Sequence, residues 1–511
     1  MTTFNRRQFL VSGAAATTVG LLATSAQAKA IDPMPAKWDE ETDVLVVGSG
    51  FAGLAAAIEA KEGGADVIVI EKMPTIGGNS IINGGIMSVP GSPAQINEGL
   101  KDSPEQLAED MLREGQYLAD PAKVKQLAEL ALPTYDWTTK VLGVEWHLDR
   151  LKTEGGHSVP RCALTMNGSG SAIVKKEVDY LEKLGVKPRT RVFMERIIRD
   201  ADGRVKGLQV REGYRFPKPD SGKVKFIKAR KAVVLCYGGF GADVAYRTRH
   251  DPRLDATYQT TNQPGATGEA WREAERIGAT LIQTDWIQCG PWTSPEEKGF
   301  GIAWAWSAHV AMAGLWLDTT TGKRFVNEEA NRKVRADAII RLRSLGHECI
   351  SLGDAGCKES YDLVRPGMME RQLERKVVHK FNTLEEVSKA YNIPLQELKE
   401  QIERVNQWIK QGHDDELGRY VNKQQKPLGQ GPWYVAKLMP KVHHCMGGLR
   451  TTLNAEVLDT VTDKPIPGLY AAGEATGGIH GAVRLGSCAT ADCLINGRIA
   501  GRNAAALADW L

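Results

Sequence analysis

The sequence contains no CxxC pair, and it therefore lacks the CxxCH motif that attaches haem covalently. Its eight cysteines are too scattered for a disulfide framework, at positions 162, 236, 289, 349, 357, 445, 488 and 493. Cys488 and Cys493 are interpreted as small core residues. Any haem that serves this chain would therefore belong to a partner protein.

An excess of charge of one sign is also missing. The 65 basic and 62 acidic residues leave a formal net charge of +3, and no basic run is interleaved with aromatic residues. Nucleic acid is therefore not an expected partner, and no metal site is predicted. With 511 residues, 42% of them hydrophobic, the chain is too long for one compact core, so two or three domains are expected.

Even the N-terminus lacks a long hydrophobic run. Residues 5–10 read NRRQFL, a twin arginine, and the weakly apolar VSGAAATTVGLLATSA and QAKA follow, with possible cleavage after Ala28 or Ala30. A membrane anchor is the alternative, but so short and mildly apolar a stretch does not span a bilayer core of about 30 Å. Residues 1–30 are therefore predicted to be a Tat signal peptide, and the mature chain a periplasmic cofactor enzyme without stable membrane insertion.

Glycine, by contrast, is abundant and grouped. Residues 43–72 read DVLVVGSGFAGLAAAIEAKEGGADVIVIEK. The apolar residues 44–47 predict a buried strand, Leu54 and Ile58 predict an apolar helix face, and DVIVI predicts a second strand. A GxGxxG turn lies between the first strand and the helix, in the order typical of a dinucleotide-binding βαβ unit.

Each glycine of this turn has a separate task. Gly48 permits the tight turn, Gly50 lets the backbone approach a pyrophosphate, and Gly53 lets the helix sit on the strand. The pyrophosphate would lie at the helix N-terminus. Glu71, at the end of the second strand, can accept hydrogen bonds from both ribose hydroxyls. A lone GxGxxG could be a packing turn, but the acid in its expected place favours dinucleotide binding.

Further glycine-rich turns favour a flavin over a nicotinamide. EKMPTIGGNSIINGG follows at once, where a nicotinamide enzyme usually continues into a plain helix, and KAVVLCYGGFG, GATGEAW and the C-terminal PGLYAAGEATGGIHGAVRLG repeat the pattern. The predicted contacts of FAD in these stretches are Lys72, Gly78, Asn79, Ser80, Gly84, Gly85, Gly238, Gly268, Glu269, Glu474 and Arg484. The FAD is expected to be noncovalent, because Asn79, Ser80 and Ile81 supply no imidazole.

The order and the residues of these motifs resemble those of the FAD-dependent fumarate reductase and succinate dehydrogenase flavoprotein family. The likeness is greatest to the flavin domain of periplasmic flavocytochromes c and to related ene-reductases of the (meth)acrylate and cinnamate type. It rests on GSGFAG, EKMPTIGGNS, GATGEA, RFVNEEANR, HHCMGG and AAGEATGGIHGAVRLG, and it is looser over residues 100–230.

The resemblance implies an α/β fold with a discontinuous, Rossmann-like FAD-binding domain. Its first part is predicted at residues 31–288 and its second at 443–511, with an α+β capping domain inserted at 289–442. Within the cap, NTLEEVSKAYNIPLQELKEQIERVNQWIKQG has helical spacing with charged faces and predicts a peripheral element.

The resemblance also implies a reaction. Hydride from N5 of FAD adds to the β-carbon of an α,β-unsaturated acid, and negative charge moves onto the carboxylate. Arg484 matches the arginine that binds this carboxylate, and His444 matches its histidine partner, whereas His443 is interpreted as structural. Arg332, the last residue of RFVNEEANR, matches the arginine that protonates the α-carbon. Charge pattern alone would place it on the surface.

Departures from the family pattern bear on the substrate. Fumarate reductases have a QxHPT stretch and a Thr-Glu pair that hold the second carboxylate, but here QCGPWTS (288–294) and GIAWAWSAHVAMAG (301–314) occupy those places. Glycine 290 replaces the histidine, and Trp306 and Ser307 replace the pair. A second buried carboxylate would lack partners, so fumarate is disfavoured.

Tryptophans 292, 304 and 306 lie in the same stretches, as ordinary core residues or as walls for an apolar substituent. If they are walls, the substrate is acrylate, methacrylate or an aryl acrylate. Because the family's relay glutamate is missing, proton supply to Arg332 stays open among His309, Glu328, Glu329 and Arg335.

The leading prediction is a periplasmic, respiratory enoate reductase that receives electrons from a separate c-type cytochrome. The enzymatic alternatives are a fumarate reductase flavin subunit with an altered cap and a ketosteroid-dehydrogenase-like flavoenzyme. The latter uses tyrosine chemistry on a ketone, whereas paired Arg332 and Arg484 indicate an anion. A non-catalytic flavin electron carrier with a degenerate site is the third possibility.

Overall fold

The computed structural model describes residues 33–152, 155–421 and 425–510. The predicted signal peptide, residues 1–30, lies outside the described residues. Within the described ranges, no helix is both long and apolar enough to cross a membrane.

The strands of the described residues are β1 (Glu40–Val47), β2 (Val67–Glu71), β3 (Ile86–Ser88), β4 (Cys162–Leu164), β5 (Arg189–Thr190), β6 (Val192–Arg199), β7 (Val205–Glu212), β8 (Lys223–Leu235), β9 (Leu281–Ile282), β10 (Ile287–Gly290), β11 (Leu315–Asp318), β12 (Cys349–Gly353), β13 (His379–Phe381), β14 (Trp433–Leu438), β15 (Lys441–Cys445), β16 (Gly448–Leu449), β17 (Glu456–Leu458) and β18 (Pro465–Ala471).

The helices are α1 (Phe51–Glu62), α2 (Pro93–Asn97), α3 (Pro104–Glu114), α4 (Pro121–Lys140), α5 (Ser171–Lys183), α6 (Val244–His250), α7 (Glu269–Arg276), α8 (Trp304–Ala313), α9 (Arg332–Ser344), α10 (Ala355–Val364), α11 (Met368–Glu374), α12 (Leu384–Tyr391), α13 (Leu395–Gln411) and α14 (Cys488–Ala506).

One large sheet organises the FAD-binding part. Its strand order is β17-β18-β8-β1-β2-β5, and β6 and β7 extend it as an antiparallel meander from the first half of β8. Strands β18, β8, β1, β2 and β5 are parallel. Continuous apolar runs such as VLVV and VIVI form its centre because parallel strands are covered on both faces. The predicted α/β class is therefore confirmed.

Helix α1 is more buried than its predicted apolar face requires. All residues from Phe51 to Ala60 are buried, because α14 and α5 pack against the helix in addition to the sheet. On α14, a Cβ at Gly497 or Gly501 would lie 2.4 or 2.2 Å from backbone oxygens of α1. Only small residues permit this distance, which explains the alanine-rich sequence of α1.

The insert contains its own core. Strands β11, β12, β14 and β13 form an antiparallel sheet, which packs with helices α8 to α13 around a separate hydrophobic cluster. The predicted peripheral element is helical, as α12 and α13, and α13 buries only one stripe, including Leu398, Val405 and Trp408.

A short ladder connects the insert to the FAD-binding part. Strand β10 pairs antiparallel with β15, with Gln288 opposite His444. The predicted domain limits at 288/289 and 442/443 both fall within this ladder, and they stay a prediction. The ladder places the two ends of the insert beside each other, next to the residues discussed below.

Candidate functional site

A cavity with about 970 Å³ of empty space lies at the carboxyl ends of β1, β2 and β8. In an open parallel sheet this edge is where ligands bind. The cavity is lined by nine predicted cofactor residues: Gly48, Gly50, Glu71, Lys72, Gly78, Asn79, Ser80, Gly238 and Glu474. The predicted set omitted Ser49, Phe193, Tyr237, Gln263, Thr267 and Cys493, which also line it. Ser49, Tyr237 and Thr267 lie within the quoted glycine-rich motifs, so the motifs could have indicated these three.

The turn between β1 and α1 is closed by contact between backbones. Gly48 has φ of +104°, and a Cβ at Gly53 would lie 2.0 Å from the carbonyl oxygen of Gly48. A Cβ at Gly48 would lie 2.3 Å from the carbonyl oxygen of Cys236, the residue after β8. Both glycines are therefore sterically required, and Gly53 acts through packing without lining the cavity.

Glu71 is held in a fixed orientation at the end of β2. Its Oε2 accepts hydrogen bonds from Ser49 N (3.2 Å) and Ser49 Oγ (2.7 Å), and its Oε1 accepts one from Met73 N (2.8 Å). A carboxylate oxygen can accept two hydrogen bonds, so one acceptor position, on Oε1, remains for a ribose hydroxyl.

The second glycine-rich loop lies directly above the turn. The Phe51 N–H donates to Ser80 Oγ (3.0 Å), and Asn79 Oδ1 accepts from Gln263 N (2.7 Å). Gly84 and Gly85 do not line the cavity. Gly85 has φ of +61°, and its Cβ would lie 2.2 Å from Thr165 Oγ1, so it serves loop packing.

An ion pair stands at the cavity wall. Lys72 Nζ donates to Thr267 Oγ1 and lies 3.3 Å from Glu269 Oε2. Gly268 is the N-cap of α7, the helix that Glu269 begins. Lys72 and Thr267 line the cavity, whereas Gly268 and Glu269 stand behind them.

The cavity fits an FAD molecule. Gly78 and Gly238 both have positive φ, and no protein atom lies within 4 Å of where their Cβ atoms would be, so the backbone faces open space there. The buried hydroxyl of Tyr237 has no hydrogen-bond partner within the described part of the chain. A mainly apolar cavity with a few fixed polar groups is typical of a cofactor site.

Glu474 joins this cavity to the predicted catalytic residues. A Cβ at Gly239 would lie 2.4 Å from Glu474 Oε1, which also accepts a hydrogen bond from Cys445 N (2.9 Å). The same oxygen lies 3.5 Å from His444 Nδ1. Burial raises the pKa of Glu474 above its usual range, against the effect of the Cys445 N–H.

Gln288 brings the two predicted catalytic arginines together. Its Oε1 accepts hydrogen bonds from Arg332 Nη1 (3.3 Å) and Arg484 Nη2 (3.0 Å), and its Nε2 donates to the Arg484 carbonyl (3.1 Å). Gln288 is buried. Two guanidinium groups held side by side suit a carboxylate, which can accept from both. Gln288 begins the QCGPWTS stretch, but nothing in the sequence marked it as the bridge.

His444 completes this group. It lies opposite Gln288 in the ladder, and its ring centroid is 5.5 Å from that of His480. His480 Nε2 is in turn 3.1 Å from Asp492 Oδ2. Burial, and then the positive charge of Arg484, hold the pKa of His444 well below its usual range. His444 is therefore a neutral ring. His480, which packs against it, lies in the motif GGIHGAVRLG but was not among the predicted site residues.

Arg332 is not a surface charge. It is half-buried as the first residue of α9, whose N-cap Asn331 accepts from Val334 N (2.9 Å). Its guanidinium carbon lies 5.1 Å from the ring centroid of Trp292. The positive end of the α9 dipole adds to the potential that attracts an anion.

The three tryptophans have different places. Trp292 contacts Arg332 and lies 6.1 Å from the His443 ring. Trp306 is fully buried in the cap core against Gly353, so its interpretation as a pocket wall is wrong. Trp304 is half-buried beside Phe300, 5.3 Å between ring centroids. The apolar packing of α8 on the cap sheet determines the positions of Trp304 and Trp306.

Ser307 and two of the proposed proton relays face into the cap. Ser307 Oγ bonds Ser351 Oγ (3.0 Å). Glu328 accepts from Arg324 Nε (2.7 Å), and His309 Nε2 lies 2.9 Å from Ser360 Oγ. Both side chains are therefore hydrogen-bonded to groups of the cap.

Arg335 and Glu329 stay near the start of α9. Arg335 Nη1 donates to the Glu328 carbonyl (2.9 Å), and burial raises the pKa of the Glu329 carboxyl. Burial likewise raises the pKa of Glu114, while Arg113, Arg332 and Arg335 oppose that rise. Glu114 lies in the loosely matching region, so no motif pointed to it.

The neutral state of His444 makes a testable prediction about pH. An ordinary histidine loses its charge near pH 6.5, which would weaken anion binding as pH rises. Because the pKa of His444 is depressed, its ring is already neutral throughout pH 6 to 8. We expect the dissociation constant of propionate, measured by perturbation of flavin absorbance, to change less than about twofold in this range.

A tenfold weakening of propionate binding as pH rises through 6.5 would contradict this assignment. His444→Gln keeps a neutral polar group, and its pH profile should match that of the parent protein.

Comparison with known proteins agrees with these features. The model of the FAD binding domain family matches residues 43–490. The chain is 41% identical to the acrylate reductase flavoprotein subunit of Shewanella woodyi, over 97% of this chain and 97% of that protein. It is 34% identical to urocanate reductase of Eggerthella lenta, over 94% of this chain and 77% of that protein.

Among solved structures, the open conformation of a flavocytochrome c3 fumarate reductase superposes with a TM-score of 0.75. The identity is 31%, and the superposition covers 92% of this chain and 79% of that chain. The recognised family and the expected cofactor FAD are therefore confirmed.

Proposed function

This chain belongs to the FAD binding domain family, and we propose that it is a periplasmic reductase of a short α,β-unsaturated monocarboxylate. It is an FAD-dependent oxidoreductase that acts on the C=C bond of unsaturated acids. We propose an acrylate-like acid as substrate, Arg332 as proton donor and a separate c-type cytochrome as electron donor.

The observation that supports this proposal is the anion site formed by Arg332 and Arg484. Arg332 and Arg484 share Oε1 of Gln288, and this pair suits one carboxylate together with the reacting double bond. A second carboxylate, as in fumarate, would need further partners. Position 290 offers glycine and Ser307 is bonded to Ser351, so an unpaired buried carboxylate would cost several kcal/mol.

Bound FAD supplies the hydride that adds to the β-carbon. Arg484 and His444 would bind and orient the substrate carboxylate, and the charge of Arg484 stabilises the negative charge that develops there. Arg332 would donate a proton to the α-carbon. Although the pKa of a free guanidinium exceeds about 12, the developing carbanion is far more basic, so the transfer is downhill.

The electron donor is proposed from the lack of a haem-attachment motif in this sequence and from its predicted export to the periplasm. It has no CxxCH motif, and its first residues have the pattern of an export signal. A reduced c-type cytochrome should be reoxidised by the substrate acid only when this protein is present. Equal reoxidation without the protein would refute this partner.

The function is tested with dye-reduced protein under anaerobic conditions against acrylate, methacrylate, cinnamate, urocanate and fumarate. We expect kcat/KM for the best monocarboxylate to exceed that for fumarate by at least about a hundredfold, because of the unpaired second charge. Rapid fumarate turnover without monoacid activity would overturn the proposal. Reduced protein that no enoate reoxidises would instead be an electron carrier.

A further inference from the structure

We propose that Trp292 sets the size limit of the substrate site, so that the enzyme accepts short acids such as acrylate and rejects β-aryl acids such as cinnamate. This inference rests on the proposed function. It narrows the range of substrates, because the sequence alone was compatible with aryl acrylates as well as with short acids.

Trp292 fills space that glycine leaves open. A Cβ at Gly290 would lie 3.4 and 3.5 Å from Cζ3 and Cη2 of the indole, so the six-membered ring is packed against the glycine backbone. Those distances admit one methyl group, and a longer side chain at position 290 would overlap the indole. The aromatic ring and the glycine are therefore a complementary pair.

The indole also lies against the reacting side of the site. Its ring faces the guanidinium of Arg332 at 5.1 Å, and its centroid is 6.1 Å from the His443 ring. The ring centroid of Phe300 also lies 5.8 Å from that of His443. A substituent on a double bond that reaches Arg332 therefore meets an aromatic wall.

This wall is rigid. The carbonyl of Thr293, the next residue, accepts a hydrogen bond from Met439 N (2.8 Å), and its hydroxyl lies 2.6 Å from the Met439 carbonyl. Trp292 is only 8% exposed and belongs to the core cluster of the cap. Displacing a buried indole next to an anchored residue would be costly for a phenyl group, whereas a vinyl group needs no such displacement.

The experiment compares Trp292→Ala with Trp304→Ala in the FAD-loaded enzyme. Trp304 is half-buried next to Phe300, and the cations over its ring are Lys152 and Arg365, whereas Arg332 lies over Trp292, so Trp304 is a matched control. The quantity measured is the ratio of kcat/KM for cinnamate to that for acrylate. This ratio cancels any general damage to Arg332. It should rise at least about tenfold in Trp292→Ala and stay unchanged in Trp304→Ala.

A binding measurement tests the wall without turnover. Dissociation constants of propionate and 3-phenylpropanoate are obtained from the perturbation of flavin absorbance. The parent protein should bind propionate more tightly, and Trp292→Ala should shift the preference toward 3-phenylpropanoate by about tenfold. Gly290→Ala, which the distances admit, should keep the parental preference.

The outcomes separate the two proposals. A parent enzyme that uses cinnamate as well as acrylate, or a Trp292→Ala variant with unchanged ratios in both assays, would overturn the role of Trp292 alone. A parent enzyme that reduces fumarate and no monoacid would overturn the proposed function. The two dissociation constants would still decide whether the indole limits the size of a bound acid.

Discussion

Arg332→Ala is expected to lower kcat for enoate reduction by roughly a thousandfold or more, because it removes both a proton donor and a positive charge beside the developing anion. The effect on binding should be smaller. Arg484 would still donate to Gln288 and would remain available to the substrate carboxylate. The measurement is anaerobic reoxidation of a reduced dye, with bound FAD quantified by its visible absorbance.

Arg341→Ala is the matched control for this prediction. Arg341 lies exposed in the last turn of the same helix, so its loss removes one charge without touching the site. It should retain full activity. If Arg332→Ala keeps turnover near the parental value with FAD bound, the proton comes from another group and the assignment fails.

Gly53→Ala is expected to yield protein that holds little or no FAD. The new Cβ would lie 2.0 Å from the Gly48 carbonyl oxygen, well inside van der Waals contact. The backbone fixes the position of the Cβ, and the oxygen is a backbone atom, so neither can rotate away. Helix α1 would have to move off the turn that forms the cavity edge. We expect the flavin-to-protein ratio after purification to fall at least about tenfold, with a lower melting temperature.

Gly356→Ala is the corresponding control. This glycine also lies in a helix, but the nearest neighbour to its Cβ position is Asp354 Oδ1 at 3.4 Å, an ordinary contact. Its flavin content should equal that of the parent protein. Full flavin content in Gly53→Ala would mean that the turn tolerates a separation the structure does not indicate.

These two predictions differ in how far the sequence alone supported them. The β1-turn-α1-β2 unit with Gly48, Gly53 and Glu71 could be predicted because its contacts are local and repeat a steric pattern that only glycine satisfies. The same local logic places Gly78, Asn79 and Ser80 in the second loop. It also predicted FAD contacts at Gly84 and Gly85, but these two glycines do not line the cavity, and Gly85 packs against Thr165.

Arg332 and Arg484 could be named from motifs, but their relation could not. Gln288 is 44 residues from Arg332 and 196 from Arg484, and no sequence pattern predicts that their side chains are in contact. This contact results from the pairing of β10 with β15 across the inserted cap. Glu114, whose pKa is raised by burial against the charges of Arg113, Arg332 and Arg335, was missed because it too is distant in the chain.

The sequence by itself determined the dinucleotide-binding unit and the α/β frame, because local sterics and residue chemistry dictate these, whereas the charged catalytic candidates came from the resemblance of its motifs to a known family. Only the tertiary structure separated three similar tryptophans into a core residue, a half-buried contact of Phe300 and a neighbour of Arg332. That separation depends on which surfaces of α8 and of the 290–293 turn pack against the cap. Packing is a property of distant residues brought together, and it decided which aromatic ring faces Arg332.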